Sequence, residues 1–345
     1  MKILGIESTC DESGIALIEF KNNKINVISN LLASQVKIHR KYGGVVPHLA
    51  AREHKKNLPY LFKKLKKEVK NLEFDFIAFS QGPGLAPALL EGKKFTQKLA
   101  KKYNVKILPV NHLLAHIFIS LLREDKIENP KLPAVSLLIS GGHTELFLIE
   151  GNLEKNFKIK FLGETLDDAV GECFDKVARM IGFPYPGGPE IEKLAKSFKG
   201  KFIYNIKLPR PLLWQKSFNF SFSGLKTAVL YKIKKTKKIT KRFKVELAVE
   251  FQNAVFEVLL DRVKRAINLF GAKTLIVGGG VSANEMLKEY FYKNIKNIDI
   301  FWPKKTLATD NALMIAIASI FYLRKNKKLI LPENLDIDPN LKINL

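Results

Sequence analysis

Ile3-Leu4-Gly5-Ile6-Glu7-Ser8-Thr9-Cys10-Asp11-Glu12-Ser13-Gly14-Ile15-Ala16-Leu17-Ile18 opens the chain with an apolar strand, a loop of small and acidic residues, and a second apolar strand. The same order returns at Ala134 to Glu150, where Val135 to Ile139 and Leu146 to Ile149 flank the turn Ser140-Gly141-Gly142-His143-Thr144. Short apolar runs bounded by Gly and hydroxyl residues read as strands. Behind each hairpin, further strands alternate with helical stretches: Phe76 to Phe79 in the first half, Thr274 to Gly278 in the second. That alternation makes layered α/β halves. Two halves that each open on a hairpin with a small-residue turn predict a duplicated fold of two lobes with a nucleotide cleft between them. Two unrelated α/β domains have no reason to share a hydroxyl-rich turn.

The 345 residues suit two domains at about 150 each. The expected boundary is Pro130 to Pro133, after the charged segment Arg123 to Glu128. The first lobe is then 1–130, with the apolar helix of Ala312 to Leu323, inside 310–330, returning to it. The second lobe is 131–309, and its 150–242 stretch reads as a helical insertion. Hydrophobic residues make up 46% of the chain and charged residues 26%, the balance of a globular protein in water. No apolar run is long enough to cross a bilayer, and the N-terminus reads as a strand rather than a signal peptide. The expectation is a cytoplasmic protein with no membrane association. Two cysteines, Cys10 and Cys173, make neither a disulfide framework nor a Cys-x-x-Cys zinc motif.

The net charge is +25, from 58 basic and 33 acidic residues. It is clustered: Lys232 to Lys244 holds eight basic residues and no acidic one, and Leu61 to Lys70 holds five against one. Such surfaces attract a phosphate-rich partner through a salt-dependent contribution. An alternative is a solvated face in a lysine-rich chain.

His112 and His116, in Asn111-His112-Leu113-Leu114-Ala115-His116, fall one helical turn apart behind Asn111, a good N-cap. Two neutral imidazoles at that spacing reach one divalent metal. Leu113 stands where a His-Glu-x-x-His protease carries its glutamate, so a thermolysin-like base is excluded. Asp310, in Ala308-Thr309-Asp310-Asn311, reads either as the cap of the final helix or as the third metal ligand. Two glycine turns carry the anion-binding pattern, Ser140 to Thr144, which also reads as a plain hairpin turn, and Gly278-Gly279-Gly280 before a helix near Asn284. A third, Tyr185-Pro186-Gly187-Gly188-Pro189 downstream of Asp175, reads either as a loop or as a ribose or base contact. Backbone N–H groups and helix N-termini at such turns favour phosphate.

Together these segments resemble the tRNA adenosine threonylcarbamoyltransferases, a family once described as O-sialoglycoprotein endopeptidases. The resemblance runs from Gly5-Ile6-Glu7-Ser8-Thr9-Cys10-Asp11-Glu12 to Thr309-Asp310-Asn311. Between them lie Tyr42 to Pro47, the histidine pair, Gly163 to Asp168, Phe174-Asp175-Lys176, Phe220 to Thr227 and Gly279 to Asn284. It implies an actin-like, Hsp70-like ATPase fold. It implies transfer of a threonylcarbamoyl group from threonylcarbamoyl-AMP to the exocyclic amine of adenosine 37 in tRNAs reading ANN codons. It implies one divalent iron or zinc ion held by His112, His116 and Asp310, and adenylate contacts from Leu138, Ile139, Ser140, Gly141, Gly142, Asp175, Gly188 and Asn284. It also implies two partners, a shorter paralogue of the same fold and a small ATPase. Asp11 and His143 are candidates for the residue that takes the amine proton. The chain departs from the family at His48, where Glu is usual, and at Glu192, where an Asp is usual; a longer carboxylate still reaches a ribose hydroxyl. Two rival readings are a metallo-endopeptidase and a non-catalytic nucleotide-binding subunit.

Overall fold

The computed structural model describes residues 1–213 and 215–343. The first half runs β1 (Lys2–Glu7), β2 (Glu12–Lys21), β3 (Lys24–Ser34), α1 (Val36–His39), α2 (Pro47–Glu68), β4 (Phe76–Gly82), α3 (Ala86–Tyr103), β5 (Lys106–Asn111), α4 (His112–Phe118), β6 (Leu122–Arg123) and β7 (Lys126–Ile127). The rest runs β8 (Ala134–Ile139), β9 (Thr144–Asn152), β10 (Asn156–Glu164), α5 (Val170–Met180), α6 (Gly187–Lys196), α7 (Ser223–Lys235), α8 (Lys241–Phe270), β11 (Thr274–Gly278), α9 (Glu285–Asn294), β12 (Asp299–Phe301) and α10 (Ala312–Arg324).

Two sheets form, ordered β5-β4-β1-β2-β3-β7-β6 and β10-β9-β8-β11-β12. In each, the first strand of the opening hairpin pairs antiparallel with its successor and parallel with a later strand: β1 with β2 and β4, β8 with β9 and β11. A second parallel strand then extends each sheet, β5 beside β4 and β12 beside β11. The core orders β3-β2-β1-β4-β5 and β10-β9-β8-β11-β12 therefore correspond strand for strand. The repeated hairpin in the sequence is the visible start of this repeated topology.

The chain divides into two compact units. The first comprises Met1–Pro130, Glu150–Ile159 and the residues from Pro303 onward; the second comprises Lys131–Ile149 and Lys160–Trp302. The stretch after 150 does not begin as a helical insertion. Phe157, Ile159 and Phe161 alternate with lysines, a period of two that makes β10 before the helices α5, α6 and α7 follow.

In the first unit, α10 is buried along Ala312 to Tyr322, which is why its sequence lacks a polar face. It lies hard against the opening hairpin. A β-carbon on Gly5 would sit 2.4 Å from the Ala312 carbonyl oxygen, and one on Gly14 2.8 Å from the Ala312 nitrogen. The chain beyond α10 then threads back as a strap. Ile330 bridges Ile107, Asp338 N donates to Gln81 O at 3.0 Å, Gly84 N donates to Pro339 O at 3.1 Å, and Asn111 Nδ2 donates to the carbonyls of Leu341 and Lys342 at 3.3 Å each. In the second unit, Phe174, Phe220, Phe222, Phe243 and Phe251 fill the core beneath α5 and α8. No helix among the described residues is long and apolar enough to cross a membrane.

Candidate functional site

Strand β5 runs directly into α4, and Asn111 caps the junction by accepting from Leu113 N at 2.9 Å and Leu114 N at 3.1 Å. The cap places His112 and His116 on one face, with ring centroids 4.7 Å apart and planes at 85°. Asp310 arrives from the turn before α10. The capping of that helix falls to Asn311, whose Oδ1 accepts from Met314 N at 3.1 Å. Asp310 Oδ1 lies 3.0 Å from His116 Nε2 and 3.5 Å from His112 Nε2. The ligand atoms of the three residues all lie within 4.8 Å of one another, a group that could hold a metal ion.

The surroundings fit a cation. Glu7, fully buried at the end of β1, bonds His112 Nδ1 through Oε2 at 3.0 Å. Its Oε1 accepts from Thr9 N and Thr9 Oγ1 at 2.6 Å each. A carboxylate on one ring nitrogen turns the other toward the metal position, as in carboxylate–histidine–metal triads. Burial disfavours a charged His112, but Glu7 and then Asp310 outweigh it and raise the imidazole to about 9. The pocket thus favours a positive charge on or between its rings. Leu113, 3% exposed, leaves α4 with no general base at the protease position.

Around the first loop, Glu12 is pushed well above the carboxylate range by burial and by Asp11 and Asp310. Burial, with Asp11, Asp310 and Glu12, likewise pushes the Cys10 thiol up. Burial pushes Cys173 up too, and its Sγ faces Phe222 O at 3.6 Å. Both thiols stay protonated and are poor nucleophiles. The loop is braced from α2, where His54 Nδ1 meets Ser13 Oγ at 2.8 Å and Nε2 meets Cys10 O at 2.9 Å. Asp11 is buried in this loop; His143 sits in the second unit.

In the second unit the glycine turns follow adjacent parallel strands, since Gly278 of β11 pairs with Leu138 of β8. The turn after β8 is closed by Ser140 N on His143 O at 2.8 Å and His143 N on Ser140 Oγ at 3.0 Å. Gly279, at φ +92°, passes so near Ile139 that a β-carbon would lie 2.4 Å from its carbonyl oxygen. By contrast, a β-carbon on Gly141, Gly142, Gly188 or Gly280 would meet nothing within 4 Å. Those four leave room for a ligand against bare backbone.

Three of the expected contact side chains hold this frame themselves. Asp175 Oδ1 accepts from Gly187 N at 2.6 Å. Glu192 Oε1 accepts from Glu285 N at 3.0 Å and pairs with Lys196 at 2.6 Å. Asn284 caps α9 by accepting from Leu287 N at 3.0 Å, while its Nδ2 donates to Gln252 Oε1 at 2.9 Å. Leu138 and Ile139 are buried strand residues that offer the turn backbone.

Sequence reasoning passed over Glu7 as a site residue. Its signal was a lone carboxylate ending the apolar run Ile3 to Ile6. It also left two motifs without a role. Asp167 accepts from Ser221 Oγ and Ser223 Oγ at 2.6 Å each, from Phe222 N at 2.7 Å and from Ser223 N at 3.1 Å. The Gly163–Asp168 and Phe220–Thr227 segments therefore fold as one clasp at the start of α7.

A duplicated β-hairpin sheet with glycine turns at parallel strand ends defines an actin-like ATPase fold, and solved structures agree. HypF from T. kodakarensis superposes at a TM-score of 0.59 with 14% identity, covering 97% of this chain and 49% of HypF. The family model described as TsaD, tRNA N6-adenosine threonylcarbamoyltransferase, matches residues 26–317. The protein of that name from Thermosipho melanesiensis is 43% identical over 99% of this chain and 100% of its own length. The one from Dictyoglomus turgidum is 44% identical over 95% of each. The chain belongs to the tRNA N6-adenosine threonylcarbamoyltransferase family of transferases.

Proposed function

We propose that this chain transfers a threonylcarbamoyl group from threonylcarbamoyl-AMP to the N6 amine of adenosine 37 in tRNAs reading ANN codons. The match across residues 26–317 carries the reading. The amine nitrogen forms a bond to the carbamoyl carbon as the bond from that carbon to the phosphate oxygen breaks, and AMP leaves with the electron pair. A good leaving group lets positioning supply much of the acceleration.

The second unit's turns receive the adenylate. N–H groups at Gly141–Gly142 suit its phosphate, and the open space at Gly188 suits close approach. Asp175 and Glu192 keep those turns in register, with Glu192 also the carboxylate nearest in kind to a ribose partner. In the first unit, His112, His116 and Asp310 would hold one divalent iron or zinc ion, with Glu7 orienting His112. Bound there, such an ion supplies Lewis-acid polarisation of an acyl or phosphoryl oxygen. Asp11 and His143 are the residues proposed to take the amine proton. We further propose a cytoplasmic enzyme that works with a shorter paralogue of the same fold and a small ATPase.

Peptide hydrolysis is disfavoured by Leu113, and a scaffold role by the convergence of His112, His116 and Asp310. The test is modification of unmodified tRNA transcript by the purified chain with threonylcarbamoyl-AMP, with and without the two partners. Modified nucleoside detected by mass spectrometry is expected. Its absence with both partners present overturns the reading.

A further inference from the structure

From Lys193 to Val245 the chain contains sixteen basic residues and no acidic one. The fold concentrates part of this segment at the start of α8. Arg242 donates to Lys199 O at 2.7 Å and to Lys201 O, and pairs with Glu246 at 2.8 Å. Those bonds draw the 199–204 loop onto the helix start, where Glu246 also accepts from Ile203 N at 2.9 Å and Tyr204 N at 2.8 Å. The exposed Lys234, Lys235, Lys237 and Lys238 lead into the same helix from α7. None of these four, nor Lys199 or Lys201, makes an ion pair with a carboxylate among the described residues. A cavity of about 370 Å³ lies at the start of α8, lined by Ser197, Lys241, Arg242 and Val245.

An aromatic ladder stands in this basic field. The Arg242 guanidinium lies 4.9 Å over Phe198, and Phe198 stacks on Phe202 at 4.3 Å and 24°. Phe202, at the outer end, is 46% exposed. Uncompensated lysines beside an exposed ring held on an arginine-backed stack are the components of a single-stranded nucleic-acid platform, where lysines follow phosphates and the ring takes a base.

We propose that this face of the second unit docks the tRNA, with Lys234, Lys235, Lys237 and Lys238 on backbone phosphates and Phe202 stacked on an unpaired base. The proposal rests on the tRNA-modifying reading and adds the surface that reading lacks. Phosphate contacts orient the RNA without choosing its sequence, so selection of the modified adenosine lies elsewhere.

The experiment measures binding of unmodified tRNA transcript by fluorescence anisotropy across a potassium chloride series. It compares the wild type, a K234Q/K235Q/K237Q/K238Q variant and Phe202→Ala. Each phosphate contact contributes about 0.7 to 0.9 to the log–log salt slope, so the quadruple variant should bind more weakly with a slope flatter by about 3. Phe202→Ala should weaken binding roughly tenfold with the slope unchanged, because stacking releases no counterions. Calorimetric AMP affinity should match the wild type in both. Wild-type affinity and slope in the quadruple variant overturn the proposal. So does tighter binding of the wild type to phosphatidylglycerol vesicles than to tRNA, lost in the quadruple variant, which would make the face a membrane-surface site. If both variants bind and modify tRNA like the wild type, the surface alone fails. If the wild type neither binds nor modifies tRNA with partners present, the functional reading falls with it.

Discussion

Glu7, bonded to His112 Nδ1 at 3.0 Å, fixes which imidazole nitrogen faces Asp310. Glu7→Gln keeps the size of the side chain and removes its charge. It should lower metal affinity roughly 10- to 100-fold, as loss of outer partners does elsewhere, with the circular-dichroism spectrum unchanged. A His112→Ala, His116→Ala double variant should lose metal and transferase activity together; full activity in it would dismiss the metal. The same pair makes metal uptake depend on pH. In the metal-free chain His112 is raised from 6.5 to about 9, so its bond to Glu7 stabilises the fold fully below 6.5. That contribution disappears as pH rises through about 9. An incoming cation must displace the proton, so affinity should rise with pH by up to about tenfold per unit until near 9. Zinc titrations at several pH values should also detect proton release at pH 7; pH-independent affinity would argue against these ligands.

Among the elements, the turns of the second unit separate packing from binding by neighbouring glycines. A β-carbon at Gly187 would lie 2.4 Å from Ala178 Cβ and 2.8 Å from Asp175 Cα, whereas at Gly188 it would meet nothing within 4 Å. Gly187→Ala should therefore destabilise the fold by about 1–3 kcal/mol through overpacking between α5 and α6. Gly188→Val should leave the melting temperature almost unchanged yet weaken AMP binding, measured by calorimetry. Unchanged AMP affinity in Gly188→Val would remove the adenylate from this turn. Such distinctions were not legible in the sequence, where Gly187 and Gly188 look alike. What was legible were the turns themselves, because their glycines sit between apolar runs. The contact roles expected of Asp175, Glu192 and Asn284 turned out to include bracing, since their bonds reach residues 12, 93 and 32 positions away.

For the whole molecule, the repeated hairpin announced a duplicated α/β architecture because it is local, and the parallel strands it implies were found beside it. The strand β10 was misread because its alternation of Phe and Ile with lysine spans only Phe157 to Phe161, inside a longer stretch without a clear repeat. The strap was invisible, since Pro332 and Pro339 break up any regular apolar spacing in the tail. It nevertheless ties the start of α4 through Asn111 to Leu341 and Lys342. Ending the chain after Leu331 should lower the melting temperature and speed loss of zinc to a chelator. Asn111→Ala, which loses the cap as well, should cost about 1 kcal/mol and speed zinc loss in the same direction; unaltered zinc retention in both would reduce the strap to packing. Glu7, the two histidines and Asp310 are also far apart along the polypeptide, which emerges from the ribosome in that order. A nascent chain shows its imidazole pair while the third ligand has yet to be made. A divalent ion arriving then would meet an incomplete chelate, so a lasting complex would form only once Asp310 has been made. Retained metal would therefore mark chains that carry both α4 and the turn before α10.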